Sequence, residues 1–211
     1  MPARSSGKRG ASTGTPRSRA KDQTDALRLL KQDHEEVESL FERFDRAGDR
    51  AYKTKAKLVR DLVEALSKHA AIEEQIFYPA VRELIGDDDS VFEALEEHHI
   101  VKWVLSELDG MDPLDERFDA KVTVLKENVL HHAKEEERDM FPQVRKALSP
   151  ADLRDLGEQL EQAKETAPTH PHPRSPDEPP GNLVAGVAAS LIDRGRDALG
   201  ELMGKGEGAS A

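Results

Sequence analysis

The sequence predicts an all-α fold: an up-down-up-down four-helix bundle followed by a short fifth helix, with disordered or loosely attached tails. Three observations carry that expectation. Apolar residues recur at intervals of three and four over long stretches, and short loops separate the stretches, which makes successive helices antiparallel neighbours. Only 4% of residues are aromatic while 35% are charged, a balance suited to helices with broad polar faces rather than to a β-sandwich. One helical pattern is also written twice, 64 positions apart: His34 with Val37, Leu40, Phe41, Phe44 and Asp45, then His98 with Val101, Val104, Leu105, Leu108 and Asp109.

The first helix opens at Thr24 or Asp25 as N-cap and runs to about Ala47, where Gly48 and Asp49 stop it. The second runs from about Tyr52 through Leu84 to Gly86, and Pro79 is expected to kink it. The third starts near Ser90, after the acidic turn Asp87-Asp88-Asp89, and closes at Gly110. The fourth starts around Pro113 or Leu114 and ends near Leu148, with a kink at Pro142 to match Pro79. Ser149 and Pro150 begin the fifth helix, which fades near Ala167. The chain therefore divides into a basic tail (1–21), the bundle (22–167), a Pro-rich linker (168–182) and an amphipathic C-terminal segment (183–211).

A second repeat points to chemistry. His69 is followed four residues later by Glu73 in HAAIEEQIFYP, and His132 by Glu136 in HAKEEERDMFP, 63 positions on. Four helical residues amount to about 6 Å of rise and roughly 40° of rotation, so the imidazole and carboxylate of each pair reach toward one point. His34, His69, His98 and His132 all continue apolar stripes, whereas His99 and His131 correspond in the repeats to Glu35 and Lys68, residues of a solvated face. At 1.5 Å per residue, His34 and His69 both lie about 21 to 26 Å from the loop that joins their helices, in one layer.

Burying two carboxylates and four imidazoles costs several kcal/mol per unpaired charge. A metal-free polar network is the competing reading, and six such residues in two matched repeats disfavour it. Four imidazoles and two carboxylates exceed the needs of one tetrahedral zinc ion. They suit two ions, each with two histidines, bridged by Glu73 and Glu136. Iron, manganese and zinc all accept such ligands, and octahedral ions would keep positions open for a further ligand.

The chain has no cysteine, which excludes disulfides, thiolate-held clusters and thiol catalysis. No run of 18 apolar residues exists to span a membrane, and the first 21 residues lack the apolar core of a signal peptide, so a cytoplasmic location is expected. Those residues hold six basic side chains and no acid. The remainder is thus more acidic than the formal −11 of the whole chain, a surface that repels DNA, and no specific nucleic-acid partner is expected. Six of the twelve prolines fall between Pro168 and Pro180, around His170 and His172, whose presence reads as composition rather than as a metal site. The segment from Leu183 to Leu202 has helical apolar spacing and could attach to a protein partner.

The motifs DHEEVESLF, HAAIEEQIFYP, EHHIVKWVLSEL and HHAKEEERDMFP resemble the hemerythrin-like, or HHE cation-binding, proteins over roughly residues 24 to 148. The resemblance implies a non-haem di-iron centre with His34, His69, Glu73, His98, His132 and Glu136 as ligands, the six already reached. It also implies a partner such as dioxygen or another small diatomic or peroxide ligand, used for sensing, delivery or detoxification. Di-iron turnover of hydrogen peroxide or nitric oxide is the enzymatic alternative, and an iron or zinc buffer or interaction module the structural one. The oxygen carriers of that family place another histidine one turn beyond the third-helix ligand, where this chain has Lys102. A lysine there is expected to lift its ammonium toward the surface and to shift the centre from reversible carriage toward reaction or sensing. Tyr78 and Phe141 are expected in core packing, Tyr78 with an optional hydrogen bond to the site, Trp103 at the bundle edge, and Glu74 and Glu137 either orienting histidines or solvated.

Overall fold

The computed structural model describes residues 24–182 together with 189, 190, 192, 193, 196 and 197. The basic tail expected over 1–21 and most of the segment expected over 183–211 lie outside the described residues. Among the described residues all regular structure is helical: α1 (Ala26–Arg46), α2 (Tyr52–Ile72), α3 (Tyr78–Ile85), α4 (Asp88–Leu108), α5 (Phe118–Glu135), α6 (Phe141–Ala147) and α7 (Pro150–Thr166). Helices α1, α2, α4 and α5 close a four-membered ring, α3 and α6 prolong α2 and α5, and α7 packs against α1 and α2.

Caps explain the helix limits. Asp25 accepts from the Arg28 amide at 2.9 Å to start α1, and Ser149 with Asp152 forms a reciprocal capping box at α7. Helix α4 starts earlier than its expected Ser90, because Asp87 is the cap and accepts from the Ser90 amide, leaving Asp88 and Asp89 to face the helix dipole. Helix α5 starts later than Pro113, because the Asp112 and Asp115 side chains accept from the Leu114 and Arg117 amides and fold this stretch into turns. At Gly86 the backbone turns left-handed, φ +70°, to end α3.

The expected proline kinks take a more specific form. Single π turns occupy Glu73–Phe77 and Glu136–Met140, directly before α3 and α6, whose first residues are Tyr78-Pro79 and Phe141-Pro142. The amides of Tyr78 and Phe141 bond five residues back, to the carbonyls of Glu73 and Glu136. The wider turn makes room where a proline would otherwise strike the preceding helical carbonyl. Both π turns begin on the two glutamates singled out by the sequence.

The apolar core is split into two clusters. One includes Leu30, Ile72, Phe77, Leu95, Met140 and Phe141, and the other Val37, Leu66, Val101, Leu105, Leu125 and Val129. In each ring helix the inward histidine falls between members of the two, so a polar layer crosses the bundle. The α7 buttress is tightly fitted: a Cβ on Gly157 would lie 2.6 Å from the Thr24 carbonyl oxygen and 2.9 Å from the Ala26 nitrogen. Gly157→Ala is expected to destabilise the fold by about 1–3 kcal/mol, seen as a lower urea midpoint at unchanged slope.

The Pro-rich segment packs on the bundle rather than standing off as a free linker. His170 faces Asp109 at 3.0 Å, Glu178 pairs with Arg82 at 3.0 Å, and the Asn182 amide donates to the Glu74 carbonyl at 3.1 Å. His170 and His172 thus engage carboxylates, Asp109, Asp197 and Asp193, and join none of the metal-type clusters among the described residues.

Candidate metal centre

The polar layer brings all six singled-out side chains together, each less than a tenth exposed, with Glu73 fully buried. His34 Nε2 and His69 Nε2 are 3.1 Å apart, as are His98 Nε2 and His132 Nε2. Glu73 Oε2 lies 3.1 Å from His69 Nε2 and 3.4 Å from His98 Nε2. Glu136 Oε2 lies 3.3 Å from His34 Nε2 and 3.6 Å from His132 Nε2. Each carboxylate therefore spans both histidine pairs. The donors fall into two sets, His34, His69, Glu73 and Glu136 on one side and Glu73, His98 and His132 on the other. His131 is exposed and His99 partly so, as their repeat counterparts implied.

The remaining ring nitrogens are equally organised. His34 Nδ1 faces Glu137 at 3.1 Å, His98 Nδ1 faces Glu74 at 3.1 Å, and His132 Nδ1 faces Glu97 at 2.7 Å. His69 Nδ1 faces Asp33 at 3.5 Å, longer than the other three contacts and beyond a hydrogen bond. A carboxylate on Nδ1 draws the ring proton there and leaves Nε2 bare, the orientation of a metal-ligating imidazole. Asp33 and Glu97 were not singled out from the sequence. The signal for them existed: each immediately precedes a histidine of the 64-residue repeat, as Glu74 and Glu137 repeat at 63.

Protonation divides the layer: burial opposes charge on all four rings, but Glu136 and Glu137 raise His34 and Glu136 and Glu97 raise His132, while burial prevails at His98 and lowers it. Burial lowers His69 to about 4 despite the opposing Asp33 carboxylate, so its ring is neutral near pH 7. Burial, with Glu136 and Asp33 as anionic neighbours, pushes Glu73 well above the usual carboxylate range. Burial would also raise Glu136, but His132 and His34 outweigh it and hold that carboxyl low. The two glutamates thus compete for charge in one buried layer. Glu73 Oε1, Glu73 Oε2 and Glu136 Oε2 have no hydrogen-bond partner although buried. Cations in this layer would satisfy all of these groups, and the nitrogen and oxygen donors fit iron, manganese or zinc.

Tyr78 completes the layer. Its hydroxyl donates to Glu136 Oε1 at 3.0 Å and lies 3.1 and 3.3 Å from the Nε2 atoms of His98 and His132. Burial and the nearby Glu136 and Glu73 raise its pKa well above the usual phenol value, which keeps it a neutral donor.

The family model for the Hemerythrin HHE cation binding domain matches residues 25–144, the stretch that carries this layer. The chain belongs to the hemerythrin HHE cation-binding family. It is 30% identical over 169 residues to an uncharacterised hemerythrin-like protein of Schizosaccharomyces pombe, covering 79% of this chain and 82% of that one. It is 26% identical over 138 residues to a DNA nickase of a Nostoc species, covering 64% of this chain but only 38% of that protein. A crystal structure of a hemerythrin HHE cation-binding domain-containing protein from Mycobacterium kansasii superposes with a TM-score of 0.59 at 26% identity, over 67% of this chain and 86% of that one.

Within this hemerythrin-like site one expectation is corrected. Lys102 does not lift its ammonium to the surface: it is 7% exposed, donates to Glu74 Oε1 at 2.8 Å and pairs with Asp177 of the Pro-rich segment. Burial disfavours its charge, but Glu74 and Asp177 more than compensate and raise its pKa. The oxygen it holds is the one facing His98, so Lys102 is tied to a ligand-type histidine through one carboxylate. Trp103 lies at the bundle edge, 42% exposed.

Proposed function

We propose that this hemerythrin-like chain holds two non-haem iron ions with His34, His69, Glu73, His98, His132 and Glu136, and binds dioxygen or a related small oxidant for sensing, delivery or detoxification. The observation that carries the reading is the span of Glu73 and Glu136, the Oε2 of each lying within 3.6 Å of a histidine from both pairs. Manganese or zinc would satisfy the same donors. Bound iron would supply one-electron redox chemistry and open positions for a small ligand. The chain's own residues supply the rest. Asp33, Glu74, Glu97 and Glu137 orient the four imidazoles, Tyr78 fixes one oxygen of Glu136, and the two apolar clusters keep bulk water from the layer. The 22–167 unit carries this function in the cytoplasm, and the C-terminal segment serves a protein contact.

A second reading, turnover of hydrogen peroxide or nitric oxide, is favoured by one asymmetry: two carboxylates join His34 and His69 in a set of four donors, but one joins His98 and His132 in a set of three. The position beyond His98 holds the charge-paired Lys102 and no further imidazole.

Metal analysis of protein purified without oxygen, followed by absorption spectra before and after air, tests the proposal. Two irons per chain and an air-dependent spectral change support it. Zinc retained from iron-rich cells, or one metal per chain, supports a buffer instead. Catalysed loss of hydrogen peroxide or nitric oxide by the iron-loaded protein would select the enzymatic reading.

A further inference from the structure

The four carboxylates that face the Nδ1 atoms are not equivalent. Glu137 is paired with Lys31, Asp33 with Lys164 and Glu74 with Lys102, so three of them are pinned by an ammonium group. Glu97 has no lysine or arginine partner among the described residues. It lies instead at a cavity of about 100 Å³ between α4 and the α5 end, large enough for a few water molecules. The outer part of that cavity is lined by Glu93, Glu97, Glu135 and Asp139, and its buried inner part by His132 and Glu136.

Glu136, 3% exposed and with its Oε2 lacking a hydrogen-bond partner, is one of the residues that line this cavity. Near the mouth, Glu97, His131 and Glu135 bring one donor atom each to within 4.8 Å of the others, a set separate from the buried ones. Arg138 pairs with Asp139 and approaches Glu135 at 3.7 Å, which leaves Glu93 and Glu97 without a lysine or arginine partner among the described residues. Two other openings differ in what they reach. The 50 Å³ cavity beneath the Pro-rich segment contains Lys102, and the 440 Å³ groove ending at Tyr78 and Glu74, although it too is acidic, holds Arg82 paired with Asp88 and Glu178; neither is lined by any of the six ligand-type residues.

We propose that the α4–α5 cavity is the route by which divalent metal cations reach the buried layer, and that Glu97, His131 and Glu135 form a weaker transit site at its mouth. The inference rests on the reading of the six buried residues as metal ligands. A narrow opening with carboxylates along its wall concentrates cations and speeds their capture, and dissolved salt weakens the effect. Glu97 links the two stations, since the carboxylate that can bind an incoming ion also holds His132.

The test uses the full-length apo protein and Co²⁺, followed by stopped-flow absorbance and equilibrium titration. The triple variant Glu93→Gln, Glu135→Gln, Asp139→Asn is compared with one of equal charge change on α7, Asp155→Asn, Glu161→Gln, Glu165→Gln. Loading of the mouth variant is expected to slow by about tenfold, with the final two Co²⁺ per chain unchanged and the α7 variant loading at the wild-type rate. Wild type is expected to take a third, weaker equivalent, lost in His131→Ala. Equal loading rates in both triple variants would overturn the route, and a third equivalent retained in His131→Ala would overturn the transit site. Should the mouth variant bind fewer than two ions, His131→Ala decides: wild-type loading by that variant overturns the proposal. Wild-type protein that takes up no Co²⁺ removes the buried centre itself and the route with it.

Discussion

Glu73→Ala is expected to strip metal from both halves of the centre, whereas His98→Ala is expected to strip it from one. Glu73 is the donor shared by the two sets, with Oε2 at 3.1 Å from His69 and 3.4 Å from His98. His98 belongs only to the three-donor set. Loss of an outer partner of a ligand commonly costs about 10–100-fold in metal affinity, and loss of a shared ligand should exceed that range. Elemental analysis of anaerobically prepared protein checks this: below one metal per chain for Glu73→Ala, close to one for His98→Ala and two for wild type. Equal losses in both variants would mean that Glu73 is no bridge.

Removal of metal is expected to lower the melting temperature by about 8–16 °C. Ligand held at about a thousand times its dissociation constant stabilises by about 4 kcal/mol, and each kcal/mol moves a chain of this size by about 2–4 °C. The apo layer has little to offset that loss, because Glu73 Oε1, Glu73 Oε2 and Glu136 Oε2 are left without partners. Glu73→Gln separates metal from carboxylate effects. Burial and Glu136 already push the Glu73 carboxyl toward its neutral form, so the apo variant should melt no lower than apo wild type. Calorimetry with and without chelator measures both. A chelated wild-type protein that melts unchanged would mean that no metal supports the fold.

The helices and the six inward residues were legible because both depend on short-range periodicity. A histidine four residues before a glutamate faces one way on any helix, and the offsets of 63 and 64 sorted His98 from His99 and His132 from His131. Features set by contacts distant in sequence were not legible. Lys102 looked like a surface lysine because its partner Asp177 comes 75 residues later, in a segment whose composition signals only extended chain. Asp33 and Glu97 had only their place before the repeated histidines as a signal, because each faces a histidine of a neighbouring helix, His69 and His132. The prolines at 79 and 142 announced a disturbance but not its form, since a π turn inserts no particular residue. At the start of α5, Pro113 imitated a helix opening while two aspartates made turns of the next few residues.

Crystals grown without oxygen and measured at the iron absorption edge test the central claim most directly. The expected anomalous map has two neighbouring peaks, one among His34, His69, Glu73 and Glu136 and one among Glu73, His98 and His132. A single peak, or peaks away from the polar layer, would contradict the two-ion centre.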